Sequence, residues 1–190
     1  KGKGLDNAIL VKDFNLLQWI GANSFRTSHY PYAEEFLNLA DELGIVVIDE
    51  SPAVGQRFLN SDKNIFGKDY IGDEMLSHHK DVMRELIERD KNHPCVVMWS
   101  AANEPATFEQ DSLPYFKEVV DYTRKLDPHR PVTIVSCVKP SDCKVSHLID
   151  VVCVNYYFSW YTTPGRLDVI ECQLENILKQ WYQIYNKPII

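Results

Sequence analysis

The sequence predicts an α/β fold built on a parallel sheet, and three features of its 190 residues carry that reading. Four short apolar runs, at 45–48, 95–98, 132–135 and 151–154, are rich in β-branched residues and do not alternate, as strands covered on both faces must not. Between them lie stretches whose apolar residues recur at helical spacing. Polar residues gather where the apolar runs stop, in Arg26-Thr-Ser-His29, Asp49-Glu50, Asn103-Glu104 and Asn155-Tyr-Tyr157.

Taken in order, the chain opens with a helix on Leu10, Phe14, Leu17 and Ile20, stopped by Gly21. A strand at 22–26 follows. A second helix on Phe36, Leu37, Ala40 and Leu43 is stopped by Gly44 and leads into the strand at 45–48. The connection from Ser51 to about Asp73 holds Pro52, Gly55, Gly67 and Gly72 and lacks periodicity; a long loop at strand ends commonly shapes a pocket. Met75, Val82, Met83, Leu86 and Ile87 mark a third helix. Its His78-His79 pair has no third ligand at a standard metal spacing and is read as part of a solvated helix face. Lys91, His93 and Pro94 make the turn into the strand at 95–98. Phe116, Val119, Val120 and Leu126 give a fourth helix before the strand at 132–135. After 151–154, a long helix on Leu167, Ile170, Leu174, Ile177, Trp181 and Ile184 precedes a sixth strand starting at Lys187-Pro-Ile-Ile190.

An open doubly wound sheet and a (β/α)8 TIM barrel both alternate in this way, but no Gly-rich phosphate turn follows any strand, which favours the barrel. A full barrel takes about 250 residues. Six strands are therefore expected to be an incomplete barrel, about strands 2 to 7, forming one partial domain over 1–190 with no second domain. Its two open edges would make the isolated segment aggregation-prone and inactive.

Composition narrows the function. Lys and Arg number 20 against 27 Asp and Glu, a net charge of −7, with no basic run beyond Lys1-Gly-Lys3, so nucleic acid and anionic membrane are not expected partners. The apolar runs fall far short of the roughly 20 residues of a membrane span. The chain does not open with Met or a signal-peptide pattern and is expected to be a fragment. Five cysteines without a C-x-x-C pair indicate neither a zinc site nor a disulfide framework; Cys95 and Cys153, inside apolar runs, are read as buried thiols. No metal or cofactor is invoked.

The chemistry concentrates at the end of 96–105, an apolar run closing on Asn103, Glu104 and Pro105. In a parallel barrel all such strand ends open on one face, so their polar groups converge. A carboxylic acid at the mouth of a half-apolar pocket can keep a proton to give to a leaving alkoxide or phenoxide, which makes Glu104 the lead candidate. The competing roles are a helix cap or a surface ion pair. Asp49 and Glu50 are placed on the same face, with a contact to Arg26 or a structural pairing both open.

The Asn-Glu-Pro ending, with Arg26 and Ser28-His29-Tyr30-Pro31 upstream, resembles glycoside hydrolase family 2 of the retaining barrel glycosidases. Within that family Phe25-Arg-Thr-Ser-His-Tyr-Pro-Tyr-Ala-Glu-Glu35, Gly44-Ile-Val-Val-Ile-Asp-Glu50, Arg89-Asp-Lys-Asn-His-Pro94 and Trp160-Tyr161 are similar to the members that cleave β-D-glucuronides. The resemblance implies retaining hydrolysis by two carboxyl groups without a cofactor. It implies Glu104 as acid/base, Asn103 on the sugar 2-hydroxyl, Arg26 beside the nucleophile, His29 and Tyr161 in the sugar pocket, and Tyr157 against the nucleophile. Asn155 is expected beside them, and Trp160 could offer a stacking face. The nucleophile Glu and the segment holding the glucuronate carboxylate are expected beyond the last residue, Ile190. The alternatives are a non-catalytic sugar-binding barrel and a family 2 enzyme for a neutral β-galactoside or β-mannoside. Val11-Lys-Asp-Phe-Asn-Leu-Leu17 looks like the animal members, which implies a lysosomal homotetramer; bacterial members are cytoplasmic.

Overall fold

The computed structural model describes residues 4–57 and 64–190. Helix α1 (Asn7–Trp19) starts on Asp6, whose Oδ1 accepts from the Ala8 and Ile9 amides. It is followed by β1 (Ser24–Arg26), α2 (Glu34–Leu43), β2 (Val46–Glu50), α3 (Asp73–Asp90), β3 (Val96–Asn103), α4 (Ser112–Leu126), β4 (Val132–Ser136), β5 (Cys153–Val154) and, after a short 3-10 turn, α5 (Ile170–Tyr185). Gly44 closes α2 at φ 69°, a left-handed position that glycine adopts without a Cβ penalty.

The five strands form one parallel sheet in the order β1-β2-β3-β4-β5. Every strand lies beside its neighbour in the chain. A doubly wound sheet reverses its order at a switch point, whereas a barrel wall runs on in one direction, so the strand order is that of a barrel wall.

Side chains divide by the period of two along each strand. Val47, Trp99, Ile134 and Val152 pack with Phe14, Leu37, Met83, Phe116 and Trp181 in the layer between sheet and helices. Ile48, Met98, Val135 and Cys153, one residue along in each strand, form a separate buried cluster on the concave side. The same alternation turns Arg26, Glu50, Ser100 and Asn155 to the concave side. It turns Asp49 the other way, toward the helices. Of these two strand-end residues Glu50 therefore makes the contact to Arg26 and Asp49 the structural pairing, on Thr27, because adjacent side chains of a strand face opposite ways.

At the opposite end of the strands, the expected turn at 91–94 is tied by Asp41, whose carboxylate takes the His93 Nδ1 at 2.6 Å and the Cys95 amide at 2.7 Å. The sixth strand is present only as its first rungs, Val152 N to Pro188 O at 2.9 Å and Ile190 N to Val152 O at 2.9 Å. On α5 the anticipated apolar face is largely uncovered, with Trp181 fully buried but Leu174 and Ile184 exposed, and Leu167, expected on the same helix, lies exposed in the 3-10 turn before it.

Candidate active site

Strand β3 carries a bulge. Ser100 pairs with Thr133 but Asn103 pairs with Val135, so three steps on β3 match two on β4. A bulge of this kind re-aims the side chains that follow it. It also takes the Ala101 carbonyl out of the ladder, and that oxygen is satisfied instead by the Ser51 hydroxyl at 2.6 Å and by His79 Nε2 at 2.8 Å. The other ring nitrogen, Nδ1, lies 3.0 Å from the Tyr115 hydroxyl. His79 is buried, not part of a solvated face, and burial lowers its pKa to about 4. A neutral ring donating from Nε2 fits both contacts. His78, one position along the helix, is exposed as expected.

The re-aimed residues are Asn103 and Glu104. Glu104 sits at φ 49°, a left-handed conformation that costs a non-glycine residue about 1–2 kcal/mol and is characteristically kept at functional sites. Its Oε1 accepts from Asn155 Nδ2 at 2.8 Å and from the Tyr157 hydroxyl at 3.1 Å. Asn155 Nδ2 also reaches Asn103 Oδ1 at 3.1 Å, and Arg26 Nη1 reaches the same Oδ1 at 3.0 Å. Arg26 Nη1 is in turn 2.7 Å from Glu50 Oε2.

Glu50 is the fully buried centre of this chain of contacts. Besides Arg26 it accepts from the Ser100 hydroxyl at 2.8 Å and faces His29 Nδ1 at 3.3 Å. Four strands thus contribute to one connected network: β1 through Arg26, β2 through Glu50, β3 through Ser100 and Asn103, and the end of β5 through Asn155. Among the sequence-predicted residues, Arg26, Asn103, Glu104, Asn155 and Tyr157 are directly linked, and His29 joins through Glu50. Tyr161 is exposed and meets the group at Tyr157, through an edge-on ring contact with centroids 5.2 Å apart and through its amide, which donates to the Tyr157 carbonyl at 3.3 Å. Trp160 is exposed beside it.

A cleft of about 580 Å³ opens beside Glu104, lined among others by Arg57, Cys137, Asn155, Tyr157 and Phe158. Arg57 Nη1 stands 3.9 Å from Glu104 Oε2 and 2.7 Å from Cys137 Sγ. Burial, reinforced by the Glu104 carboxylate, pushes the Cys137 thiol up to about 11, so it is a neutral S–H. Burial and the same carboxylate also raise the Tyr157 phenol, which keeps it a donor. A slightly larger cleft, about 620 Å³, is lined by residues 52–56, Ile65, residues 69–71 and α3, but its buried histidine is spent on Ala101 and Tyr115, and none of its lining residues belongs to the network.

Asp49, on the helix side, is likewise without solvent contact, takes the Thr27 hydroxyl at 3.0 Å and lies against Asp90. Burial first, and then the Asp90 carboxylate, raise it to about 8. Asp90 is paired with Arg89 at 2.6 Å.

Arg57 and Cys137 were not among the expected site residues. Arg57 stands in an aperiodic loop and Cys137 just past the end of β4, where neither spacing nor pattern singles them out. Ser100 could have been found from the period of β3.

The sequence model of the glycosyl hydrolases family 2 TIM barrel domain matches residues 1–190. The chain belongs to this family. The five-stranded wall described above is accordingly an incomplete family 2 α/β barrel, as the strand pattern predicts. Relatives of this barrel domain include β-glucuronidases from Paenibacillus borealis, 57% identical over 190 residues, and from Felis catus, 52% identical over 190 residues. The solved β-D-glucuronidase of Dictyoglomus thermophilum superposes with a TM-score of 0.96 at 59% identity, covering 100% of this chain and 33% of that one. The chain spans about a third of the length of these relatives, 32% and 28% for the two sequences.

Proposed function

We propose that this chain supplies the acid/base side of a retaining β-glucuronidase site, with Glu104 as the proton donor. The observation that carries the reading is the division of labour between its two oxygens. Oε1 is held by Asn155 and Tyr157, whereas Oε2 has the Arg57 guanidinium as its neighbour, at 3.9 Å, in the cleft that Glu104 lines. A proton on Oε2 is therefore positioned for a glycosidic oxygen entering from the cleft, and the vacated carboxylate then takes a proton from the incoming water.

The supporting residues follow from the same network. Asn103 Oδ1 is occupied by Arg26 and Asn155, which turns the amide donor of Asn103 to the sugar, where it meets the 2-hydroxyl. Arg26, fixed by Glu50, projects a cation beside the place of the second carboxylate and favours its ionised form. That carboxylate, the nucleophile, belongs in our reading to sequence that follows Ile190 in a longer polypeptide. It would stand about 5–5.5 Å from Glu104, the separation of retaining glycosidases. His29 acts through Glu50, and Tyr161 borders the pocket. The resemblance to animal members supports a homotetramer and a lysosomal setting, with a cytoplasmic one as the alternative since bacterial relatives match as well.

The test is the anomeric configuration of the first product formed by the complete protein from an aryl β-D-glucuronide, followed by NMR. A β-configured glucuronic acid supports the proposal. An α product, or turnover of a galactoside or mannoside in place of the glucuronide, overturns it.

A further inference from the structure

We infer that Arg57 makes this site selective for β-glucuronides whose leaving group carries an anionic substituent. The inference rests on the reading of Glu104 as proton donor and extends it to the aglycone.

Oε1 of Glu104 is spent on two hydrogen bonds, so the leaving-group oxygen must approach Oε2. Arg57 Nη1 lies 3.9 Å from that same atom. Whatever departs from the sugar leaves past the guanidinium. Arg57 is also under-used where it stands. Among the described residues the hydrogen bond of its side chain goes to Cys137 Sγ, and a neutral thiol is a weak acceptor. A guanidinium has five N–H donors in a planar fork that matches a carboxylate or sulfonate two-pronged. Its side chain is 29% exposed, low enough to lose part of its hydration and open enough to meet a ligand.

The rest of the cleft suits an aryl or glycosyl group between the sugar and that cation. Phe158 and Tyr157 border it and offer aromatic surface. Arg26 is committed to Glu50 and Asn103, so it does not compete for the anion. Charge on the aglycone is therefore read by Arg57, separately from the groups that hold the sugar.

The experiment uses the complete protein and a matched pair of substrates, 4-carboxyphenyl and 4-carbamoylphenyl β-D-glucuronide, alike in shape and different in charge. The unmodified protein should prefer the carboxylate in kcat/KM. Arg57→Ala should lower the ratio of the two kcat/KM values by about fivefold, the upper end for a partly exposed ion pair, and raised salt should erode it in the unmodified protein. Arg57→Lys, which keeps the charge but loses the fork, should restore part of the ratio. A pair containing 4-sulfophenyl glucuronide tests whether the site reads charge or the carboxylate itself, and equal preference is expected. An unchanged ratio in both variants overturns the inference and leaves the glucuronidase reading intact. Failure of the unmodified protein to cleave either substrate overturns that reading and the inference with it.

Discussion

Replacing His79 by Leu tests how the acid-bearing bulge is held. The substitution keeps roughly the side-chain volume but removes the donor to Ala101 O and the acceptor for the Tyr115 hydroxyl. Ser51 still serves the Ala101 oxygen, so the loss is one bond there and one stranded hydroxyl at Tyr115, together about 2–3 kcal/mol at neutral pH. That corresponds to roughly 4–12 °C in melting temperature for a domain of this size.

The effect of pH makes the prediction sharper. The folded protein holds His79 near 4, whereas the unfolded chain binds the proton near 6.5, so between these values the unfolded state carries more protons and stability falls as the pH falls. The full cost below the lower value is about 3 kcal/mol. The Leu variant does not incur it. The two proteins should therefore differ clearly at pH 7 and converge as the pH approaches about 4, while every other titrating group cancels in the comparison. Thermal melts of the complete protein and its variant across this range provide the readout. A gap in melting temperature that stays constant with pH would refute the assignment of His79 as a neutral clamp on the bulge.

Two further outcomes are expected. Glu50→Gln leaves Arg26 beside a neutral amide in a buried position, which should cost about 3 kcal/mol of stability and lower kcat more than it raises KM, because Asn103 loses its fixed neighbour; steady-state kinetics with a melt on the same sample checks both. Asp49 has the opposite pH sign to His79. Its folded value, about 8, lies above the ordinary 3.8, so its proton stabilises the fold at low pH and that contribution is lost as the pH rises toward and through 8. Asp49→Asn should accordingly flatten the loss of melting temperature between about pH 4 and pH 8, and an unaltered slope would contradict the raised value of the buried Asp49 carboxyl.

Much of the architecture is legible in the residues because each apolar run is both β-branched and unalternating. Val47 and Ile48 are equally apolar since one meets the helices and the other the concave cluster, and that double burial is what a parallel strand needs. The glycines after α1 and α2 end those helices where a left-handed residue is required. Arg26, Glu50 and Asn155 fall on one side by the same period of two. What escapes the sequence depends on contacts between strands. The bulge at 100–103 exists only in register with β4, so neither it nor the role of Ser51 and His79 as its supports can be read along the chain. The burial of His79 escapes the pattern because histidine is a polar residue in an amphipathic helix, although a ring with both nitrogens satisfied is stable inside. Arg57 comes to the site through a loop whose path has no periodic signature. The apolar face of α5 was readable as a face, but its burial depends on what packs there, and the described elements cover it only around Trp181.

The account turns on the proton at Glu104, and a comparison of leaving groups reaches it most directly. In the complete protein, Glu104→Gln should slow cleavage of alkyl glucuronides by about 100-fold or more, since the lost protonation is worth that much, while activated nitrophenyl glucuronides, which depart with little help, should show a far smaller loss of their glycosylation rate. Equal losses on both classes would mean that Glu104 holds the site together without giving a proton.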